Sequence, residues 1–466
     1  MNETIGTWFE ENQKAVINLT YDLWSHPELA YHEYHACQAV AKFMREQGFF
    51  VETKAAEAFH DNEAEPNTVI ATWSQGSGGP VIGILGELDG LPGLGQEAVP
   101  YQKPVEGPGH GCSHNLMGGG CVAAASALKY AMEKEGLAGT VKLVDCPAEE
   151  AGSGKVYLAR NGVFDDMDVC LSYHPDNSPF IFDAWECMAV AHLTVEFFGV
   201  AAHAAMMPWE GRSALDGAEL MNLGVQYLRE HVTSDCSLHY VYKDGGMAPN
   251  IVPEHAALDY YVRAADKNLD DLLRRVFLIA KGAAMMTETK VRWRLESATS
   301  GFIPNITLNH AVYEAAKKIP PLTFNEEDYT FAQTMYQNAT GQEAPKTKEQ
   351  LIATELKPPC DEIKFTPGST DVADVSHIVP VMHLTGSGRV MGLPSHHWTV
   401  TATAGMSIGQ KAMIYSYKVL AQAGYYLVKS PQAVEDVRKE FYERNQNPYV
   451  SRMDLDYNKT ENSSCV

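Results

Sequence analysis

The chain lacks any apolar run of about 18 residues or more, so no ordinary membrane-spanning helix is expected. It is also short of positive charge: 36 Lys and Arg against 59 Asp and Glu give a formal net charge of −23. That balance argues against nucleic acid or an anionic membrane surface as partner. Cysteine is sparse, and its nine copies have no paired spacing, which suits a reducing cytosol better than a disulfide framework. The N-terminus, Met1 to Glu11, has neither a basic region nor an apolar core, so a signal peptide is not expected and a cytoplasmic location is. Internal repeats are absent. What remains is ordinary globular composition, 45% hydrophobic and 20% charged, on 466 residues. That length predicts two domains.

Residues 13 to 48 read as one helix, with Tyr34, Cys37, Val40, Ala41 and Met44 on one face and Gly48 as its stop. Three buried strands are predicted at Val81–Leu85, Val141–Val144 and Val169–Ser172, with helical sequence between them. Ionisable residues follow each at once: Glu87 and Asp89, then Glu149 and Glu150, then His174. Alternating strands and helices predict an α/β domain, with a mostly parallel sheet, helices on both faces and the site along one sheet edge. From residue 188 the pattern becomes strand, helix, two strands about the turn Asp244-Gly-Gly246, helix (about Leu269 to Met286), strand. That β-α-β-β-α-β order predicts a ferredoxin-like α+β insert over 188–300, between the halves 1–187 and 301–466 of the first domain. Residues 318 to 362 read as an irregular excursion, Gly405 to Lys429 as a long helix, and the tail from about 454 as loose.

Adjacent acids just past a buried strand are costly unless something positive lies between them. Pro147 ends the strand before Glu149 and Glu150, and three other segments supply metal-ligand types. These are Cys112-Ser-His114, expected as an extended loop ahead of three glycines and a small-residue helix, then His174-Pro175, and Ser395-His-His-Trp398. Alone, a His-Pro or a His-His pair is more often surface or core filler, and a Glu-Glu doublet a solvated face. Their joint recurrence at successive strand ends favours a divalent ion, Zn²⁺ first, with Mn²⁺ or Co²⁺ as alternatives. A thiol nucleophile at Cys112 with His114 as base is a rival from another class. It leaves Glu149, Glu150, His174 and His396 unexplained. A catalytically silent binding subunit is a third reading.

The motifs resemble those of the M20 metallopeptidase family, in its amidohydrolase branch, which includes aminobenzoyl-glutamate hydrolases and indole-acetyl-amino acid hydrolases. The resemblance spans nearly the whole chain: His26-Pro-Glu-Leu29, Asp89-Gly-Leu-Pro92, Gly111-Cys-Ser-His-Asn115, Pro147-Ala-Glu-Glu150, His174-Pro175, Ala202-His-Ala204, Gly211-Arg-Ser-Ala-Leu-Asp216, Pro249-Asn-Ile-Val-Pro253, Ser369-Thr-Asp-Val372 and His396-His-Trp398. It implies two divalent ions per subunit held by Cys112, His114, Glu150, His174 and His396, with His396 rather than His397 as the ligand. It further implies Glu149 as general base, Asp89 as the acid that orients a ligand, and His203 of a second subunit as oxyanion donor. Asn250 and Arg263 match positions that contact substrate, and a guanidinium suits the carboxylate of an acyl-amino acid. Two departures stand out: Glu87, where many relatives carry His, and Ser113, where glycine is usual.

The resemblance therefore implies hydrolysis of an N-acyl or N-aroyl amino acid to a carboxylic acid and a free amino acid. Aminobenzoyl-glutamate is the first expectation, and an indole-acetyl-amino acid or a dipeptide the alternative. It also implies a homodimer formed through the insert, or a hetero-oligomer with a related subunit.

Overall fold

The apolar periodicity of residues 13 to 48 is carried by two helices rather than one. Helix α1 (Glu3–Ser25) and helix α2 (Tyr34–Glu46) are separated at His26-Pro27, and Pro27 cannot continue the helical hydrogen bonding. Asn2 caps α1 by accepting from the Ile5 N–H, and Gly48, at φ +80°, follows the end of α2 as expected. Next come β1 (Phe50–Lys54), β2 (Thr68–Gln75), β3 (Val81–Glu87), α3 (His114–Glu135), β4 (Gly139–Cys146), α4 (Gly154–Arg160), β5 (Val169–Asp176) and β6 (Trp185–Cys187). The computed structural model describes residues 1–57, 64–455 and 457. The expected loose tail thus lies outside the described residues, apart from its first two positions and Tyr457.

The predicted β-α-β-β-α-β order follows: β7 (Ala189–Phe198), α5 (Ala214–Leu228), β8 (Ser237–Asp244), β9 (His255–Ala264), α6 (Asp266–Thr287) and β10 (Lys290–Thr299). These strands form an antiparallel sheet in the order β10-β7-β9-β8, the ferredoxin-like arrangement. Alternate residues of β7, from Ala189 to Phe197, are buried with the stripe Ala214, Ala218, Met221, Val225 and Leu228 of α5.

The chain then continues through α7 (Ile306–Ala316), α8 (Glu326–Thr340), β11 (Lys364–Thr366), α9 (Val372–Ser376), β12 (Val381–Gly388), α10 (Trp398–Ala404), α11 (Ser407–Lys429) and α12 (Pro431–Arg444). The expected excursion at 318 to 362 is thus partly helical. Asn325 and Asp328 close a capping box that starts α8, which buries Phe331, Ala332 and Met335. Two compact units result. One comprises Met1–Trp185, Ile303–Lys364 and Val375–Tyr449; the other comprises Glu186–Phe302, Phe365–Asp374 and a stretch beginning at Val450.

The first unit is built on a six-stranded sheet in the order β1-β2-β4-β3-β5-β12, with β4, β3, β5 and β12 parallel. Ile82, Ile84, Leu85, Val141, Leu143 and Val144 are fully buried there, each contributing about 1.5–3 kcal/mol of apolar transfer. Helix α3 lies close to its neighbours because its second turn is Gly118-Gly-Gly120. A Cβ on Gly119 would sit 2.8 Å from Thr20 Cα, and one on Gly120 2.3 Å from the Tyr417 ring. The parallel strands end on one edge, where β3 delivers Glu87 and β4 leads into Glu149 and Glu150.

Candidate metal centre

The Cys112-Ser-His114 segment is not extended. Ser113 takes a left-handed conformation (φ 70°) and His114 is already the first residue of α3. The turn, rather than strand-like alternation, brings Cys112 and His114 to one place. Ala148 (φ 57°) and His396 (φ 51°) are also left-handed, so each of the three loops supplying donors holds a strained non-glycine residue. His174 lies inside β5 rather than after it, because the strand runs to Asp176.

His114 is fully buried and its orientation is fixed by Asp89: Nδ1 lies 2.9 Å from Oδ1. The other Asp89 oxygen accepts the Glu150 N–H at 2.9 Å, so one buried carboxylate sets both side chains. His114 Nε2 consequently faces Glu87 Oε2 at 3.2 Å and Glu150 Oε1 at 4.0 Å. Cys112 Sγ is 3.4 Å from His174 Nε2, and His396 Nε2 is 3.3 Å from Glu150 Oε1. Three overlapping donor groups result: Cys112, His114 and His174; Cys112, Glu150 and His396; Glu87, His114 and Glu149. Within each group the ligand atoms all lie within 4.8 Å of one another.

A cation fits this set. Glu87 Oε2, His114 Nε2 and Glu150 Oε1 are buried without a hydrogen bond of acceptable geometry among the described residues, which is costly unless a positive charge satisfies them. The charge balance points the same way. Burial opposes ionisation of Cys112, but His174, His114 and Arg389 together hold its thiol well below the ordinary range. Burial and then the Cys112 thiolate raise Glu150. Contacts with Cys112 and Glu150 push His396 up to about 10. The negative charge of Cys112 thus bears directly on Glu150 and His396.

Several contributors were not singled out from the sequence. Lys155, fully buried on α4, places Nζ 2.7 Å from Glu87 Oε1. Against the cost of burial, that ammonium holds Glu87 down at about 2. The departure at Glu87 is therefore matched by a lysine that neutralises it. Arg389, just past β12, donates to the Cys112 carbonyl and lies 3.6 Å from its sulfur. Glu33, at the start of α2, accepts the Ala148 N–H at 2.7 Å and so supports the left-handed turn before Glu149. Burial, then the charge of Asp89, pushes Glu33 up to about 9. A nearby acid without a counter-charge was the only sequence signal for Lys155. Arg389 and Glu33 act across more than 100 residues and had none.

The remaining expected site residues belong to the second unit. His203 bridges to Ile251, and the Ala204 N–H donates to the Asn250 carbonyl at 3.0 Å, so His203 and Asn250 are neighbours. The His203 ring accepts from the Ala205 and Met206 N–H groups, both at 3.2 Å. Arg263, at the end of β9, donates to Ser369 Oγ at 2.9 Å. Asp266, three residues on, pairs with Arg452.

Thiol, imidazole and carboxylate donors, from fully buried His114 to half-exposed His396, gathered at the ends of parallel strands beside a further carboxylate, define a metal-dependent hydrolase of amide bonds. Residues 83–398 match the model of peptidase family M20/M25/M40, and the chain belongs to that family. It is 34% identical over 455 residues to one of the subunits of p-aminobenzoyl-glutamate hydrolase of Escherichia coli, covering 92% of each chain. It is 31% identical over 440 residues to the Xaa-Arg dipeptidase of Mus musculus, covering 91% of this chain and 88% of that one. Its fold is also that of a Bacillus subtilis crystal structure described as a dinuclear metal binding peptidase of the M20 family. That match has a TM-score of 0.59 at 16% identity, over 90% of this chain and 99% of the other.

Proposed function

We propose that this amidohydrolase cleaves an N-aroyl amino acid of the p-aminobenzoyl-glutamate kind, using two divalent ions held by Cys112, His114, Glu150, His174 and His396. The observation that carries the reading is that Cys112 belongs to two donor groups at once, His114 and His174 on one side, Glu150 and His396 on the other. One shared thiolate between two donor sets supports two neighbouring ions, Zn²⁺ or Mn²⁺, with Co²⁺ a third candidate. When bound, such ions supply Lewis acidity that polarises the scissile carbonyl and makes water a competent nucleophile near neutral pH.

The chain's own groups do the rest. Glu149, next to Glu150 and grouped with Glu87 and His114, takes the proton of the attacking water and returns it to the leaving amine nitrogen. Asp89 holds His114 and Glu150 in register. His203, with its ring anchored to the backbone two and three residues on, donates to the developing oxyanion from a partner subunit. Asn250 and Arg263 hold the substrate's free carboxylate; in a chain of net charge −23 such an anion needs a local guanidinium. In this reading the first unit is catalytic, and residues 188–300 form a homodimer. The Escherichia coli relative carries the name of one subunit of its hydrolase, which supports a further assembly with a related second subunit. The eight described cysteines are all free, which suits a cytoplasmic enzyme.

The test is a panel of p-aminobenzoyl-glutamate, indole-acetyl-aspartate and dipeptides with C-terminal arginine, each assayed with Zn²⁺, Mn²⁺ and Co²⁺. The reading expects the highest kcat/KM on p-aminobenzoyl-glutamate. Preference for the arginine dipeptides would replace it with the dipeptidase reading, which rests on the 31% identity to the mouse enzyme.

A further inference from the structure

The motif His26-Pro-Glu-Leu29 has no part in the metal centre, yet its histidine belongs to another cluster of ligand-type side chains. Asp22, His26 and His35 present one donor atom each within 4.8 Å of one another. Asp22 lies in the last turn of α1, and His26, four residues on, is the residue that caps its C-terminal end. His35 is the second residue of α2, and the Glu28 carboxylate fixes it there by accepting the His35 N–H at 2.9 Å and the Ala36 N–H at 3.0 Å.

The geometry points to a third metal site on the chain: a divalent transition ion, Zn²⁺ foremost, bound by Asp22, His26 and His35 and open to solvent. A tetrahedral Zn²⁺ with bonds of about 2.0 Å needs donors about 3.3 Å apart. Asp22 Oδ2 lies 2.9 Å from His35 Nε2, and Asp22 Oδ1 lies 3.3 Å from His26 Nδ1, so the carboxylate already stands at that spacing from both rings. Hydrogen bonding to Asp22 explains each imidazole singly. His26 Nδ1 also lies 2.9 Å from the Asp22 carbonyl oxygen, and the two rings stand 4.5 Å apart between centroids, near enough for one ion to be shared.

Two further features suit a cation. The carbonyl end of α1 points there, the negative end of its dipole. The side chains are 42%, 57% and 41% exposed, so an ion can enter from solvent and water can complete its coordination. Imidazole and carboxylate donors select Zn²⁺, Cu²⁺, Ni²⁺ or Co²⁺ over Mg²⁺ or Ca²⁺. A bound ion would tie the end of α1 to the start of α2 across residues 27–33, a segment that ends on Glu33 and its bond to Ala148.

The test uses the full-length enzyme with its catalytic metals loaded, titrated with Zn²⁺ alone in mildly alkaline buffer. Histidine carbethoxylation by diethyl pyrocarbonate is read residue by residue by peptide mass spectrometry. At ten times the dissociation constant, carbethoxylation of His26 and His35 should fall together by about tenfold, by mass action, while exposed His231 and His239 stay reactive. Asp22→Asn should abolish this protection, bind one Zn²⁺ equivalent fewer in equilibrium dialysis, and leave amide hydrolysis unchanged. Unaltered reactivity of His26 and His35 in Zn²⁺, or equal Zn²⁺ content in the Asp22→Asn protein, would overturn the proposal.

Discussion

Replacing Lys155 by Met tests whether the Glu87–Lys155 pair is what makes an acid tolerable beneath the metal centre. Both side chains are buried, at 0% and 1% side-chain exposure, and 2.7 Å apart. Two unit charges at that separation attract by about 6 kcal/mol at an effective dielectric of 20, before desolvation is counted. Met keeps most of the apolar stem, so the loss is electrostatic: Glu87 is left buried without its cation, a situation that costs about 3–5 kcal/mol. His114, 3.2 Å from the other Glu87 oxygen, offsets part of this, which places the expected loss near the lower bound. Against a typical total of about 5–15 kcal/mol, that is a large fraction. Urea unfolding of the metal-stripped protein, followed by fluorescence and circular dichroism, measures it. Adding Glu87→Gln should recover most of the loss, and metal should shrink it, because a cation beside Glu87 substitutes for the ammonium. A loss below about 1 kcal/mol, or one as large in the double variant, would refute the reasoning.

Three other substitutions have definite expected outcomes. Gly119→Ala gains about 1 kcal/mol of helix propensity but places a methyl 2.8 Å from Thr20 Cα, a backbone atom that cannot rotate away. Overpacking of about 1–3 kcal/mol should win and lower Tm; a rise in Tm would mean that α1 yields freely. Glu33→Leu removes the acceptor of the Ala148 N–H and should cost about 1–3 kcal/mol and reduce kcat, whereas Glu33→Gln, which keeps an acceptor, should remain near wild type. Equal effects of the two would show that the hydrogen bond is not the cause. Arg263→Ala should raise KM about 10–100-fold for a substrate with a free carboxylate and much less for its amide; an equal penalty on both would assign Arg263 a structural task through Ser369.

Local patterns in the sequence were informative where a single element determined the outcome. The strand-then-acid order at Val81 and at Val141, the glycines of α3 and the stripe of α5 all read correctly, because periodicity and backbone room are properties of short segments. Residues 13 to 48 misled because the apolar stripe continues on both sides of a break; Pro27 was the visible signal. Helix α8 was hidden by flanking prolines and charge, although Asn325 and Asp328 had the spacing of a capping box. The Cys112-Ser-His114 turn was misread because serine itself does not mark a left-handed position; the glycine usual there was the available sign. Lys155, Arg389 and Glu33 reach the centre through long-range contacts, which no window along the chain contains.

The most direct test of the central claim, amide hydrolysis by a metal centre with Glu149 as its base, is metal content measured beside turnover in Glu149→Gln and Glu150→Gln. Glu149→Gln should retain its divalent ions and lose about 10²–10⁴-fold in kcat, the contribution of a positioned general base. Glu150→Gln, which removes the carboxylate beside His396, should lose metal first and activity with it. Metal lost from Glu149→Gln but kept in Glu150→Gln, or turnover surviving in Glu149→Gln, would contradict the account.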